Sequence, residues 1–235
     1  MGNNYFRFKQ FTLIQKESAF KVGTDGVLLG ARADIACAAS ILDIGTGTGL
    51  IGLMLAQRST ARIVCIEPDK ASFREACENV RRSIWRDRIV LENTDLQNYF
   101  PGNSFDLIVT NPPYFAGSLL NPDKRKAATR HSVTLSGEEL LNGVTRLLAP
   151  KGKFEVIFPC NQGIAFTGKA QDRGLYCNKI LKIRPLPGSE IKRIILTFSR
   201  QSSSVQEEFL TIERGKRHDF TDEYINLTRD FYQGF

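Results

Sequence analysis

Metal-binding residues and long apolar runs are scarce in this 235-residue chain. It has only two histidines, and its five cysteines form no C-x-x-C pair. These counts argue against a metal cluster, and we interpret the cysteines as buried free thiols. No run approaches the roughly 20 apolar residues of a membrane span, and the N-terminus lacks the apolar segment of a signal peptide. We therefore expect a cytoplasmic protein that binds no metal.

The composition favours one sizeable folded unit with a basic surface. Hydrophobic residues make up 42% of the chain, which is enough for a large core. We expect a single domain overall, in which an extension formed by residues 1–39 packs on a core formed by residues 40–235. Lys and Arg outnumber Asp and Glu by 32 to 25, which gives a net charge of +7. Such a charge is compatible with a polyanionic partner, because clustered cations release counterions from phosphates.

A glycine loop follows the first strand predicted for the core. The strand covers Ile41 to Ile44, and the helix after the loop begins at Leu50. The glycines of the loop are Gly45, Gly47 and Gly49. Glycine is needed where the backbone approaches a ligand closely, and the following helix offers free N–H groups. A dinucleotide fingerprint needs glycine where Leu50 stands, so the loop suits a ligand without a pyrophosphate and disfavours a nicotinamide dehydrogenase.

Polar residues stand at the ends of four successive predicted strands: Asp43, Glu67, Asp95 and Asn111. Ligands of open α/β sheets gather at the carboxyl ends of the strands, so we expect all four to face one crevice. A carboxylate at the tip of the second strand can accept both hydroxyl hydrogens of a ribose, which makes Glu67 the expected ribose ligand. The alternative is that Glu67 or Asp69 only caps the next helix.

The tetrapeptide Asn-Pro-Pro-Tyr at 111–114 ends the fourth of these strands. Neither proline can donate a ladder hydrogen bond, so the strand over Phe105 to Val109 must stop at Asn111. The stiff turn then holds one amide beside the aromatic ring of Tyr114, an arrangement that suits a planar ligand. A plain Pro-Pro loop with an Asn cap is the structural alternative.

Local patterns also predict structure on either side of this region. Aromatic and cationic residues alternate between Tyr5 and Phe20, which favours a hairpin of strands. Thr24 or Asp25 is the expected N-cap of the next helix. Near the end of the core, the residues at 150–152 are expected to turn the chain into a strand that begins at Lys153.

The order of these motifs resembles that of the class I S-adenosylmethionine-dependent methyltransferases. The resemblance implies a doubly wound, Rossmann-like α/β sheet, mostly parallel with an antiparallel closing strand, plus the short N-terminal hairpin. In that family the glycine loop lies under the methionine part of the cofactor. The acid matched by Glu67 holds the ribose, and the acid matched by Asp95 meets the adenine amine. The implied cofactor contacts are Asp43, Gly45, Gly47, Gly49, Glu67, Asp95 and Asn111.

Four segments point to one particular family within this class: Phe8 to Phe11, Lys21 to Gly30, Leu42 to Gly45, and Asn111 to Tyr114. They look like segments of the bacterial tRNA1(Val) adenine-N6 methyltransferases, and the match covers nearly the whole chain. That family methylates the adenine immediately 3′ of the anticodon in one valine tRNA, so tRNA is the implied partner, without an obligate protein partner. The matched residues are Lys21, Thr24 and Gly26 at the methionine end of the cofactor, and Asn111, Pro112 and Tyr114 at the target base.

The tetrapeptide suits a weakly nucleophilic amine, whose lone pair is delocalised into a conjugated ring. The side-chain oxygen of Asn111 and the carbonyl of Pro112 can hold its two hydrogens, and Tyr114 can stack on the base. Orientation of the amine and hydrogen bonding to it would then provide the rate acceleration. No general base is required, because the methylated ammonium loses its proton to water.

The segment that follows, residues 116–133, is basic and without periodicity, which usually means function or disorder. The expected RNA contacts next to the tetrapeptide are Phe115, Lys124, Arg125, Lys126 and Arg130. A solvated loop is the alternative. The basic run Arg214 to His218 has the same two interpretations, RNA contact or solvated loop.

Other functions share some of these features. A protein glutamine-N5 methyltransferase carries the same tetrapeptide, because a carboxamide is also a planar NH2 group, but such enzymes place a helical domain before the core. A ribosomal RNA or DNA adenine-N6 methyltransferase would share every motif. A catalytically silent RNA-binding module could keep the same fold.

Overall fold

The computed structural model describes residues 3–18, 21–112 and 135–235. Ten strands lie in these residues: β1 (Tyr5–Arg7), β2 (Thr12–Ile14), β3 (Ser40–Ile44), β4 (Arg62–Ile66), β5 (Ile89–Glu92), β6 (Phe105–Thr110), β7 (Leu148–Pro159), β8 (Tyr176–Arg184), β9 (Arg193–Ser199) and β10 (Gln206–Thr211). The α-helices described are α1 (Thr24–Arg32), α2 (Leu50–Arg58), α3 (Lys70–Arg81), α4 (Gly137–Leu147), α5 (Cys160–Gln171) and α6 (Asp222–Thr228).

Eight of the strands form one sheet in the order β10-β8-β9-β7-β6-β3-β4-β5. The pairs from β7 to β5 are all parallel, whereas β9 is antiparallel to both of its neighbours. Since β10 is parallel to β8, every strand of this sheet except β9 points the same way. The predicted fold is confirmed, and the carboxyl ends of β3, β4, β6, β8 and β10 share one edge.

Helices cover both faces of the sheet because alternate strand residues point to opposite sides. In β6, Leu107 and Val109 face one apolar cluster and Ile108 faces the other. The first cluster contains residues of α1, α2 and α6, and the second contains residues of α4 and α5. Helix α2 is buried from Leu50 to Ala56, since it lies between the sheet and the elements packed outside it.

The predicted N-terminal hairpin is confirmed as the antiparallel pair β1-β2. It is anchored by aromatic side chains, as Phe8 and Phe11 are buried and their rings stack at 4.6 Å. Phe11 also meets the edge of Trp85 at 5.9 Å. The hairpin therefore shares the first apolar cluster with α1 and α2.

Two local predictions were wrong. The N-cap of α1 is Gly23, without a side-chain capping bond, so Thr24 and Asp25 lie inside the first turn. The expected turn at 150–152 is part of β7, which absorbs it as a register shift opposite Phe105. A Cβ on Gly152 would lie 2.8 Å from the carbonyl oxygen of Phe105, so glycine permits this close approach.

The cysteines are all free thiols, but only Cys65 is buried. The prediction of buried thiols is wrong for Cys37, which is exposed and has a left-handed φ of 64°. Within residues 3–18, 21–112 and 135–235, no group of three or more His, Cys, Asp or Glu side chains could hold a metal ion. No helix in the same ranges has the length and apolarity to cross a bilayer.

Candidate functional site

Three glycines of the loop between β3 and α2 adopt the left-handed backbone conformation, with φ of 68° at Gly45, 60° at Gly47 and 85° at Gly49. A Cβ on Gly49 would touch Ala76 of α3, whereas a Cβ on Gly45 or Gly47 would meet nothing within 4 Å. Side chains of L-residues are strained at such φ values. The loop thus turns bare backbone toward an open space at the carboxyl edge of the sheet.

Asp43 supports this loop from below. Its side chain is 0% exposed, and its Oδ2 accepts hydrogen bonds from Thr46 Oγ1 at 2.6 Å and from Gly52 N at 3.1 Å. Burial raises the pKa of Asp43 to about 7, against the lowering effect of these two bonds. Among the described residues nothing donates to its Oδ1. The structure places Asp43 under the loop, so a direct contact with a cofactor stays a prediction.

Glu67 stands at the tip of β4 and is only 8% exposed. Its Oε2 accepts from Gly47 N at 2.8 Å and its Oε1 from Asp69 N at 2.9 Å. Burial raises the pKa of Glu67, while the two backbone bonds lower it. The N-cap of α3 is Asp69, whose side chain accepts from Ser72 N. Glu67 is therefore tied to the glycine loop, and each of its oxygens has capacity for a second hydrogen bond.

Asp95 follows β5 and closes its own turn. Its two oxygens accept from the backbone and side-chain nitrogens of Asn98, at 2.8 and 3.0 Å. The end of β5 is joined to the end of β4 by Asn93, whose Nδ2 donates to the carbonyl oxygen of Glu67 at 2.7 Å. Asn93 had no assigned role in the sequence, although an Asn beside a strand end is a signal for such a bridge.

Asn111 follows β6, which ends at Thr110 as predicted. Its Nδ2 lies 3.8 Å from the position that a Cβ would take on Gly26, and Leu50 Cδ2 lies 3.0 Å from that position. Gly26 is buried, so any larger residue there would press on the start of α2. The structure thus brings together the start of α1, the helix after the glycine loop and the end of β6. By contrast, Lys21 and Thr24 are exposed.

Two buried residues of α3 hold the N-terminal segment against the loop, and sequence reasoning missed both. Asn79 is 1% exposed; its Nδ2 donates to the carbonyls of Ile14 and Thr48, each at 2.9 Å, and its Oδ1 accepts from Ile14 N at 2.7 Å. Glu75 accepts from three successive backbone nitrogens, those of residues 16–18. A polar residue on the inner face of an amphipathic helix is the only sequence signal for such bonds.

The remaining predicted site residues lie outside the described residues: Tyr114, Phe115, Lys124, Arg125, Lys126 and Arg130. Their roles stay predictions. Pro112, the last residue described before them, is buried.

The arrangement can bind a polar ligand along the sheet edge. The backbone of the glycine loop, the carboxylate of Glu67 and the carboxamide of Asn111 lie at the same edge of the sheet, and the described part of this edge offers no poised histidine or metal cluster. Such a site can orient groups by hydrogen bonding rather than by proton transfer.

The known proteins that resemble this chain in sequence or in structure are described as methyltransferases. The profile of the family described as methyltransferase small domain matches residues 23–165. The chain is 45% identical over 235 residues to a protein of Bacteroides fragilis named tRNA1(Val) (adenine(37)-N6)-methyltransferase, with 99% of each chain covered. It is 46% identical over 237 residues to a protein of the same name from Trichodesmium erythraeum, again with 99% of each covered.

Among solved structures, a predicted O-methyltransferase from Agrobacterium tumefaciens superposes with a TM-score of 0.67. The superposition covers 88% of this chain and 96% of that chain, at 19% sequence identity. At this identity the likeness shows the fold alone.

Proposed function

The chain belongs to the tRNA1(Val) (adenine(37)-N6)-methyltransferase family, and from this premise we propose that it methylates the exocyclic N6 of adenine 37 in a valine tRNA. The observation that supports this most strongly is the position of Asn111, beside Gly26 and the helix that follows the glycine loop. An amide there can hold a planar amine next to a cofactor that lies on the loop. S-adenosylmethionine is the proposed methyl donor.

The residues present fit that cofactor. The open space over Gly45 and Gly47 leaves room for a ligand to approach the backbone closely. Glu67 keeps acceptor capacity for the two hydroxyls of a ribose, and Asp95 is the proposed partner of the adenine amine. When bound, S-adenosylmethionine would supply a methyl group activated by its sulfonium, and cleavage of the S–CH3 bond would leave S-adenosylhomocysteine. The remaining proposed contacts are Lys21, Thr24, Gly26, Asp43, Gly49 and Asn111.

The protein's part in the reaction is to bind and aim the target amine. The Asn111 side-chain oxygen and the Pro112 carbonyl accept the two N6 hydrogens and direct the lone pair of the nitrogen. Tyr114 stacks on the adenine, which must first leave the stack of its loop. After transfer, the proton on N6 passes to water, because a methylated ammonium attached to the ring is acidic.

The wider organisation follows from the same proposal. Residues 1–39 act as an extension of a methyltransferase domain formed by residues 40–235; the bonds from Asn79 and Glu75 to the N-terminal segment support this division. The proposed tRNA contacts are Lys124, Arg125, Lys126 and Arg130, on the grounds of their charge, and Phe115, on the grounds of its position directly after the tetrapeptide at 111–114, which we call the target turn. A tRNA substrate also supports the proposal that the protein acts in the cytoplasm.

The proposal is tested with S-adenosylmethionine labelled in its methyl group and bulk tRNA, followed by nucleoside analysis. We expect label in N6-methyladenosine. Asn111→Ala should abolish turnover while cofactor affinity, measured by calorimetry, stays within about two-fold of the wild type, because we expect Asn111 to contribute far more to holding the amine than to binding the cofactor. Label in another nucleoside, or in protein glutamine, would contradict the function. A loss of cofactor affinity as large as the loss of turnover would mean that Asn111 acts mainly by binding the cofactor.

A further inference from the structure

A second basic segment, residues 212–220, lies at the same edge of the sheet as the candidate site. It follows β10, which points the same way as β3, β4 and β6. We call it the C-terminal basic loop; it contains the run Arg214 to His218. The proposed function uses none of these cations.

A chain of contacts joins Asn111 to this loop along the edge. Asn111 lies next to Gly26 at the start of α1. The neighbouring Asp25 pairs with Arg193, the first residue of β9, with 2.7 Å between Oδ2 and Nε. Neighbouring residues at the start of α1 therefore connect Asn111 with the first residue of β9.

The second half of the path crosses from β9 to β10. Lys192 N donates to the carbonyl of Ile183 in β8 at 2.9 Å. Ile212 N then donates to the carbonyl of Arg184 at 3.0 Å, at the base of the C-terminal basic loop. Four strand spacings of about 4.8 Å separate β6 from β10, so the loop lies roughly 19 Å from Asn111 along the edge.

The C-terminal basic loop is held in one shape by its own hydrogen bonds. Arg214 N donates to the carbonyl of Asp219 at 2.7 Å, and Arg214 Nη2 pairs with Asp222 of α6 at 2.6 Å. His218 has a left-handed φ of 67°, and its N–H donates to Glu213 Oε1 at 2.7 Å. A loop closed in this way presents its tip without a large ordering cost on binding.

The tip carries Lys216 and Arg217, which are both exposed. No carboxylate of the described residues forms an ion pair with either of them, whereas Arg214 pairs with both Asp219 and Asp222. Arg214 thus shapes the loop, and the two cations at the tip are available to a ligand.

We propose that Lys216 and Arg217 bind the phosphate backbone of the tRNA, at nucleotides next to the one that enters the site; this rests on the proposed function. A distance of roughly 19 Å across the strands exceeds the span of one nucleotide, so the loop holds the neighbouring backbone rather than the target base. Phosphate contacts position an RNA and carry no sequence information directly. The C-terminal basic loop therefore contributes affinity and orientation, and the choice of adenine stays with the target turn.

The test compares two double variants that remove the same charge. Lys216→Gln with Arg217→Gln changes the loop tip. Arg62→Gln with Lys151→Gln is the control, because these exposed residues lie at the amino ends of β4 and β7, on the opposite edge. Fluorescence anisotropy with an unmodified valine tRNA transcript, across a salt series, gives the dissociation constant of each protein.

We expect the loop variant to bind at least ten-fold more weakly at about 0.1 M salt, with the slope of log affinity against log salt reduced by about 2. The control should stay within about three-fold of the wild type with its slope kept. A third variant that exchanges the two residues, Lys216→Arg with Arg217→Lys, should bind with the affinity of the wild type, because a phosphate accepts either cation.

Equal effects in loop variant and control would mean a response to net charge and would overturn the proposal, as would unchanged binding by the loop variant. The binding assay needs no methyl transfer, so the two proposals fail separately. A wild type that binds tRNA but forms no N6-methyladenosine contradicts the function alone. A loop variant with unchanged tRNA affinity contradicts the backbone contact alone.

Discussion

Gly47→Ala is the sharpest test of where the cofactor lies, because the chain contains a matched glycine. Gly47 and Gly102 have left-handed φ values of 60° and 74°, and a Cβ on either would meet nothing within 4 Å. Gly47 belongs to the glycine loop, whereas Gly102 lies in the turn before β6. Alanine should cost each site about 1–2 kcal/mol of backbone strain. The two variants should therefore lose similar stability in urea unfolding.

Their affinities for S-adenosylmethionine should differ. The new methyl group at position 47 enters the space proposed for the cofactor, whereas the one at position 102 lies outside the glycine loop. If the methyl group displaces one charge-assisted hydrogen bond between the cofactor and the protein, the loss is about 1.5–3 kcal/mol of binding free energy, which corresponds to roughly ten-fold or more in the dissociation constant. Calorimetry should show this loss for Gly47→Ala and a change within two-fold for Gly102→Ala.

Equal cofactor affinity in the two alanine variants would refute the placement of the cofactor over the glycine loop. A stability loss confined to Gly47→Ala would refute the strain argument instead, because the two backbones have similar φ values.

Two further substitutions test the buried polar groups. Asn79→Asp puts a carboxylate against the carbonyls of Ile14 and Thr48, so unfolding free energy should fall by about 3–5 kcal/mol, with little change for the exposed control Asn142→Asp in urea titrations. Burial raises the pKa of Glu155 from 4.5 to about 7, so its ionisation weakens the fold as pH rises across that range. The free energy of unfolding of Glu155→Gln should therefore exceed that of the wild type by up to about 3 kcal/mol at pH 8, with no such excess at pH 5. Urea titrations at the two pH values measure this difference, and a difference that does not change with pH would contradict the prediction.

The edge that holds the site could be predicted because its signals are local. Strand, glycine loop and helix follow one another between Ile41 and Leu50, and two prolines end β6. Parallel strands then place Glu67 and Asn111 at one edge without further information. The sequence of neighbouring residues and the direction of the strands are therefore enough to predict this edge.

The bonds that fix the site could not be predicted because they join distant segments. Asn79 bonds to Ile14, 65 residues away, and to Thr48, 31 residues away. Asp43 ends a strand like the other acids, but strand alternation turns it inward against Gly52 of α2. The N-cap of α1 is Gly23, and the side chain of Asp25, which was expected to cap the helix, pairs instead with Arg193, 168 residues away. Partners of this kind are set by tertiary packing.

The central claim is most directly tested by counting N6-methyladenosine in a single valine tRNA transcript. The transcript is made without modifications, with either adenine or guanine immediately 3′ of the anticodon, and is incubated with the protein and S-adenosylmethionine. We expect about one N6-methyladenosine per adenine transcript and none in the guanine transcript. Equal methylation of both transcripts, or of neither, would contradict the account.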